Sequence, residues 1–386
     1  MGRIKKVVFL IESYFNKRDY ERFGIETLER NGFEVQVWDF TPIITSPEFG
    51  KVRPPDPIQW DKLFIFETRK KAVDALLGLD ESVYIVSLIR CFSKTFYLYR
   101  VLKKKKIPYC VLGNSTPKST KKIEVLAKQF RSVTFNKIIR KIIECKAIQN
   151  HFVSPADMVV APGERLLPFP YVVDKDSKIL WAHGFDYDVY MKIKDLPSVS
   201  DSKSLVFLDM YFPYHPDFVK YGIKLNADPG EYHMSICRFF EYLEREFGVK
   251  IVIAAHPRSH YEKHGDCFGG RKVIRGRTAE LVKDSGLVIA HNSIAIDYAV
   301  LFKKPIMFIT TNAFDASRIE DPSVAWLADY FGRKVHNLDS SFAVNISEEM
   351  RTNEQAYRRY KNDYIKREGS AELPFWQIVS ERLMQS

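Results

Sequence analysis

The sequence has few cysteines and no long apolar run, and both absences narrow the classes of protein to which it can belong. Its 386 residues include 5 cysteines, which are widely scattered and show no CxxC or Cys/His metal-site spacing. This pattern favours free thiols in a reducing compartment, so we expect a cytoplasmic protein without a metal site. No apolar run approaches the roughly 20 residues that a membrane-spanning helix needs.

Signals for export, disorder and nucleic-acid binding are missing too. The N-terminal stretch MGRIKKVVFLIESYF turns polar at Glu12 and lacks a small-residue cleavage site, so we interpret it as a first β-strand and not as a signal peptide. Hydrophobic residues make up 46% and charged residues 28% of the chain, which is ordinary for a globular protein. No zinc finger, RNP-type motif or helix-turn-helix pattern occurs, and we expect no nucleic acid as a partner.

Positive charge is present in excess, with a formal net charge of +11. Much of the excess lies in the first half of the chain, in runs at residues 103–106, 118–122 and 137–146. These runs form either solvated helix faces or a surface that attracts anions. Under the second interpretation, the partner is an anionic membrane surface or a phosphate-bearing substrate, and the protein is peripheral at the inner membrane face.

Short apolar strands alternate with single helices along most of the chain. This alternation predicts parallel sheets with right-handed crossovers, and therefore an α/β fold. We expect a Rossmann-like N-terminal domain over residues 1–190, a polar linker over 191–204, a second Rossmann-like domain over 205–345 and C-terminal helices over 346–386. Two doubly wound domains that face a cleft are the GT-B architecture.

Polar side chains follow four strands of the predicted second domain. Asp209 follows SLVFL, His256-Pro257-Arg258 follows VKIVIAA, His291-Asn292-Ser293 follows GLVIA, and Thr310 ends PIMFIT. Because ligands of open parallel sheets bind beyond the carboxyl ends of the strands, we expect these residues to form one site.

The expected chemistry of this site is the binding of a phosphate-bearing ligand. Pro257 ends its strand and holds His256 at the edge, where an imidazole can bind a phosphate or protonate a leaving group. Arg258 can pair with a phosphate, and Asp209 is the carboxylate predicted to act as a base or a nucleophile.

A second group of candidates has weaker signals. Ser293 either only caps the following helix or also binds an anion there, and Asp297 lies one turn further on. The residues predicted for the acceptor or the cleft are Glu12, Glu164, His183, Asp186 and Asp217. The acidic residues among them have an alternative role, because acidic residues at strand ends often cap helices.

Two segments of the second half resemble a known group of enzymes. AAHPR, followed by GLVIAHNSIAIDYAVLFKKPIMFIT, resembles the bacterial GT-B glycosyltransferases of surface polysaccharide synthesis that use CMP-activated ulosonic acids (the Kdo and polysialyl-type transferases). Similar segments occur in the CDP-glycerol glycerophosphotransferases of teichoic acid synthesis. The resemblance implies that His256 contacts the donor phosphate, that Ser293 helps to bind the nucleotide phosphate, and that Asp209 belongs to the catalytic centre. The usual Ser-Ser or Thr-Ser pair is Asn292-Ser293 here.

The predicted function is therefore transfer of a sugar, from a CMP-linked donor, to a glycan or lipid-linked acceptor in capsule or lipopolysaccharide synthesis, without a required cofactor. Three alternatives stay open. They are a CDP-glycerol-type polyol-phosphate transferase, a UDP-sugar epimerase of the same fold, and a non-catalytic glycan-binding GT-B subunit.

Overall fold

A computed structural model describes residues 4–45, 48–49, 56–92, 94–113, 152–165, 172–198, 201–225, 227–317, 323–340 and 343–385. The basic runs at 118–122 and 137–146 lie outside these described residues. The chain forms two compact units. The first contains the described residues up to His183 and those from Arg367 on, and the second contains Gly184–Lys366.

A parallel sheet forms the centre of the first unit. Its strands are β1 (Lys6–Ile11), β2 (Glu34–Asp39), β3 (Leu63–Ile65), β4 (Val83–Ser87), β5 (Tyr109–Leu112), β6 (Met158–Ala161) and β7 (Lys178–Trp181). They lie in the order β3-β2-β1-β4-β5-β6-β7. The helices described before β6 are α1 (Lys17–Arg22), α2 (Ile25–Arg30), α3 (Thr41–Ile44), α4 (Arg69–Leu77) and α5 (Phe96–Lys105).

A second parallel sheet forms the centre of the second unit. Its strands are β8 (Asp201–Leu208), β9 (Lys250–Ala255), β10 (Val273–Arg275), β11 (Ser285–Ala290), β12 (Ile306–Thr310) and β13 (Val335–Asn337). They lie in the order β10-β9-β8-β11-β12-β13. Because helices cover both faces, the central strands are apolar over their buried parts, and Val206, Phe207 and Leu208 of β8 are at most 1% exposed.

The helices of the second unit follow the strands in alternation. They are α6 (Phe185–Ile193), α7 (Pro216–Tyr221), α8 (Pro229–Phe247), α9 (Thr278–Asp284), α10 (Ile296–Leu301), α11 (Asn312–Ala316), α12 (Val324–Phe331), α13 (Ile346–Glu349) and α14 (Glu354–Tyr360). A short π-helical segment, Lys361–Ile365, continues α14. The predicted α/β fold with two Rossmann-like units is confirmed.

The last helix, α15 (Phe375–Met384), packs on the first unit. The indole N–H of Trp376 donates to the carbonyl of Arg22 at 2.7 Å, and the ring lies against Phe9 with 5.0 Å between centroids. Gly24, which begins α2, has a φ of +55° and lies so close that a Cβ there would be 2.3 Å from Cδ1 of Trp376. A glycine is therefore required at this position for two separate reasons.

We expect Gly24→Ala to lower the free energy of unfolding by about 2–5 kcal/mol, because left-handed strain and a steric conflict with Trp376 add together. The matched control is Gly32→Ala, since Gly32 has a φ of +88° but a Cβ there would meet no atom of the described residues within 4 Å. Gly32→Ala should lower the free energy of unfolding only by the left-handed strain, about 1–2 kcal/mol. Urea unfolding measures both values, and equal costs would contradict the packing of α15.

Candidate functional site

The candidate site lies at the carboxyl ends of β9, β8 and β11, which are neighbours in the second sheet. Asp209 directly follows β8, His256 follows β9 and His291 follows β11. Adjacent parallel strands are about 4.8 Å apart, so residues that follow them come close together although they are far apart in sequence.

Asp209 connects two of these strand ends. Its Oδ1 accepts from the backbone N–H of Tyr211 at 2.9 Å and from the hydroxyl of Tyr261 at 2.8 Å, and its Oδ2 accepts from the backbone N–H of His256 at 3.1 Å. The residue is 4% exposed. Burial raises its pKa to about 6, although these hydrogen bonds to the carboxylate act in the opposite direction. Asp209 therefore fixes the positions of two backbone segments.

Two His-Pro dipeptides adopt the same local arrangement. In His215-Pro216-Asp217, the N–H of Asp217 donates to Nδ1 of His215 at 3.2 Å. In His256-Pro257-Arg258, the N–H of Arg258 donates to Nδ1 of His256 at 3.1 Å. Each imidazole is thus held by the backbone of the residue two positions further along the chain.

The two segments also contact each other through matching side chains. The rings of His215 and His256 meet edge to face with 4.7 Å between centroids. The guanidinium of Arg258 donates to both carboxylate oxygens of Asp217, at 2.9 and 3.1 Å. Burial would raise the pKa of Asp217, but the charge and hydrogen bonds of Arg258 outweigh it and lower that pKa. We call His215, Asp217, His256 and Arg258 the His-Pro tetrad.

His215 faces one more hydrogen-bond donor than it can satisfy. Its Nδ1 faces the N–H of Asp217, and its Nε2 lies 3.2 Å from Nη2 of Arg258. A neutral imidazole accepts at only one nitrogen, so one of these two contacts pairs a donor with a donor. Burial, and then the charge of Arg258, lower the pKa of His215 to about 4, which keeps the ring neutral. An acceptor such as a phosphate oxygen would satisfy the surplus donor.

The other residues predicted to bind the donor have different surroundings. His291 is fully buried, with its ring nitrogens bonded to the hydroxyl of Tyr232 at 2.9 Å and the carbonyl of Ile309 at 2.8 Å. The sequence placed this side chain at the ligand edge, whereas the structure places it in the core. Asn292 is half-buried.

Ser293, Asp297 and Thr310 lie around α10 and β12. The Oγ of half-buried Ser293 accepts from the N–H of Ala295 at 3.3 Å, which is a local turn contact. Asp297 is 2% exposed, and its pKa is raised by burial and by the charge of Asp186. The hydroxyl of Thr310 donates to Asp315.

The residues predicted for the acceptor or the cleft all have partners. Glu12 accepts from the N–H and Nε of Arg90, each at 3.3 Å, and Glu164 pairs with Arg367 at 3.3 Å. Nε2 of His183 lies 2.9 Å from the carbonyl of Leu373. In the second unit, Asp186 accepts from the hydroxyl of Tyr298 at 3.1 Å. An acceptor role for these residues stays a prediction.

Sequence reasoning gave no role to His215 or Tyr261, although both contact the site. A signal was available for His215, because His215-Pro216 repeats the dipeptide His256-Pro257 after a neighbouring strand. Tyr261 had no such signal. Within the described ranges, no cluster of His, Cys, Asp or Glu side chains could hold a metal ion, and no helix is long and apolar enough to span a membrane.

Comparison with protein-family models and with curated proteins gives no match. Among solved structures, a variant of the wall teichoic acid polymerase TagF soaked with CDPG is 12% identical, with a TM-score of 0.52 over 99% of this chain and 88% of that chain. The Methanocaldococcus jannaschii UDP-GlcNAc 2-epimerase in complex with UDP-GlcNAc and UDP is 13% identical, with a TM-score of 0.48 over 99% of this chain and 100% of that chain. At such identities a likeness shows the fold alone, and the TagF match confirms the predicted GT-B fold.

We expect Asp209→Asn to lower the free energy of unfolding at pH 7 by about 1–3 kcal/mol, because the amide N–H₂ must face at least one of the present donors. Asp329→Asn is the matched control, since Asp329 is exposed. Urea unfolding measures both variants. A cost no larger than that of the control would contradict the contacts of Asp209.

The pH dependence gives a second test of the same residue. Because burial raises the pKa of Asp209 from 3.8 to about 6, the part of its contribution to stability that depends on protonation is complete below pH 3.8 and is lost as the pH rises through 6. The difference in unfolding free energy between the wild type and Asp209→Asn should therefore widen as the pH falls from 7 to about 4. A difference that is independent of pH would contradict the raised pKa.

Proposed function

We propose that this chain is a nucleotide-dependent glycosyltransferase whose second unit binds the phosphate of the donor at the His-Pro tetrad. The observation that carries the proposal is the surplus donor at His215, where Asp217 and Arg258 both direct N–H groups at one imidazole. A phosphate oxygen is an acceptor that suits this position. The tetrad also lies at the carboxyl edge of a parallel sheet, where ligands of such folds bind.

In the proposed reaction, the bond between the anomeric carbon and the phosphate oxygen breaks, and its electron pair goes to the phosphate. The acceptor hydroxyl oxygen forms the new bond to the anomeric carbon and gives up its proton. Because Nδ1 of His256 accepts from the N–H of Arg258, a neutral His256 carries its proton on Nε2, and this N–H can donate a hydrogen bond to the departing phosphate, which leaves as an anion. Asp209 is the base predicted from the sequence, and its observed contacts support a positioning role as well.

The finer proposal is a CMP-linked ulosonic acid as donor and a surface glycan or lipid-linked glycan as acceptor. It rests on the resemblance of the segments around His256 and Ser293 to the enzymes that use such donors. A polyol-phosphate transferase that uses CDP-glycerol is the second candidate, because the TagF structure of the same fold was soaked with CDPG.

Incubation with a panel of donors tests the proposal. We expect nucleotide release from CMP-Kdo or a CMP-sialic acid when a glycan acceptor is present. Consumption of CDP-glycerol alone would replace the proposal by the second candidate. Conversion of UDP-GlcNAc without an acceptor would show an epimerase, and consumption of no donor would contradict an enzymatic role.

Substitution of the tetrad tests the position of the phosphate. We expect Arg258→Gln and His256→Ala each to lower kcat/KM about 100- to 1000-fold, because a positioned donor to the transition-state charge is lost. Arg245→Gln is the matched control, since the Arg245 side chain is 72% exposed and pairs only with neighbouring Glu246 among the described contacts. Thermal unfolding establishes that each variant is folded. Unchanged kcat/KM in both tetrad variants would contradict a phosphate at this position.

A further inference from the structure

A column of near-parallel aromatic rings lies beside the His-Pro tetrad. The rings of Tyr214 and His264 stack with 3.7 Å between centroids and an interplanar angle of 7°. The ring of His233 lies near-parallel to Tyr214 as well, at 6.0 Å and 19°. Tyr214 directly precedes His215, so the column is adjacent in the chain to the imidazole that faces the surplus hydrogen-bond donor.

His264 is held in place although it is exposed. Its Nε2 lies 2.9 Å from the hydroxyl of Tyr211, and the backbone N–H of Tyr211 donates to Asp209. Tyr211 has a φ of +56°, a left-handed conformation that is strained for an aromatic residue. The contact with Asp209 stabilises this conformation, so the carboxylate that fixes His256 also positions His264.

The histidines of the column are neutral at pH 7. Burial lowers the pKa of His233 to about 4 and also lowers the pKa of His264. Neither ring nitrogen of His233 has a hydrogen-bond partner within the described part of the chain, so the ring takes part through its π face. Neutral rings stack well on a neutral planar heterocycle.

We propose that His264, supported by Tyr214, is the platform on which the nucleobase of the donor stacks. The platform deepens the proposed function and depends on it, since a nucleotide must be the ligand. Tyr214 covers one face of the His264 ring and the residue is exposed, so we assign the planar ligand to the opposite face. The phosphate then extends toward His215, whose Cα is about 3.8 Å from that of Tyr214.

Titration calorimetry with CMP and with inorganic pyrophosphate tests this assignment. We expect His264→Ala to weaken CMP binding about 5- to 150-fold, the range that loss of one base–aromatic stack produces. Pyrophosphate has no base, so its affinity should be unchanged. His264→Phe keeps a ring over Tyr214 and should retain most of the CMP affinity. Tyr242→Leu, on the distant end of α8, is the matched aromatic control.

The two proposals fail in different ways. If wild-type protein binds CMP and His264→Ala binds it equally well, the platform is wrong while the proposed function stands. If wild-type protein binds pyrophosphate but no nucleotide, and consumes no donor, then the proposed function is wrong and the platform with it. Equal losses of CMP and pyrophosphate affinity in His264→Ala would also overturn the platform, because they would indicate damage to the phosphate site.

Discussion

The carboxylate of Asp209 is the interaction on which the candidate site depends. It directly follows the central strand β8 and accepts hydrogen bonds from the backbone of Tyr211, the backbone of His256 and the hydroxyl of Tyr261. Burying a carboxylate is costly unless donors surround it, and the raised pKa shows that burial outweighs them here. Burial of the carboxylate lowers stability, but its hydrogen bonds fix the relative positions of the tetrad and the aromatic column.

The two His-Pro segments show how a local rule produces a non-local site. Proline disfavours helix for the preceding residue, so His256 stays outside a helix at the end of β9 and His215 does so just before α7. In both segments the residue two positions on turns its N–H toward Nδ1. The two turns then meet, His215 against His256 and Asp217 against Arg258. The same backbone contact that orients each ring leaves His215 with a surplus donor.

The fold was largely predictable, because parallel strands buried on both faces are short apolar runs that stand out between helices. The strand-end rule also located Asp209, His256 and Arg258. It could not show that Arg258 pairs with Asp217, which lies 41 positions away, since such a pairing depends on tertiary structure. Nor could it show that Tyr232 and Ile309 occupy both ring nitrogens of His291, so that the imidazole is buried instead of facing a ligand. Polar residues at a strand end are visible in sequence, but their partners are not.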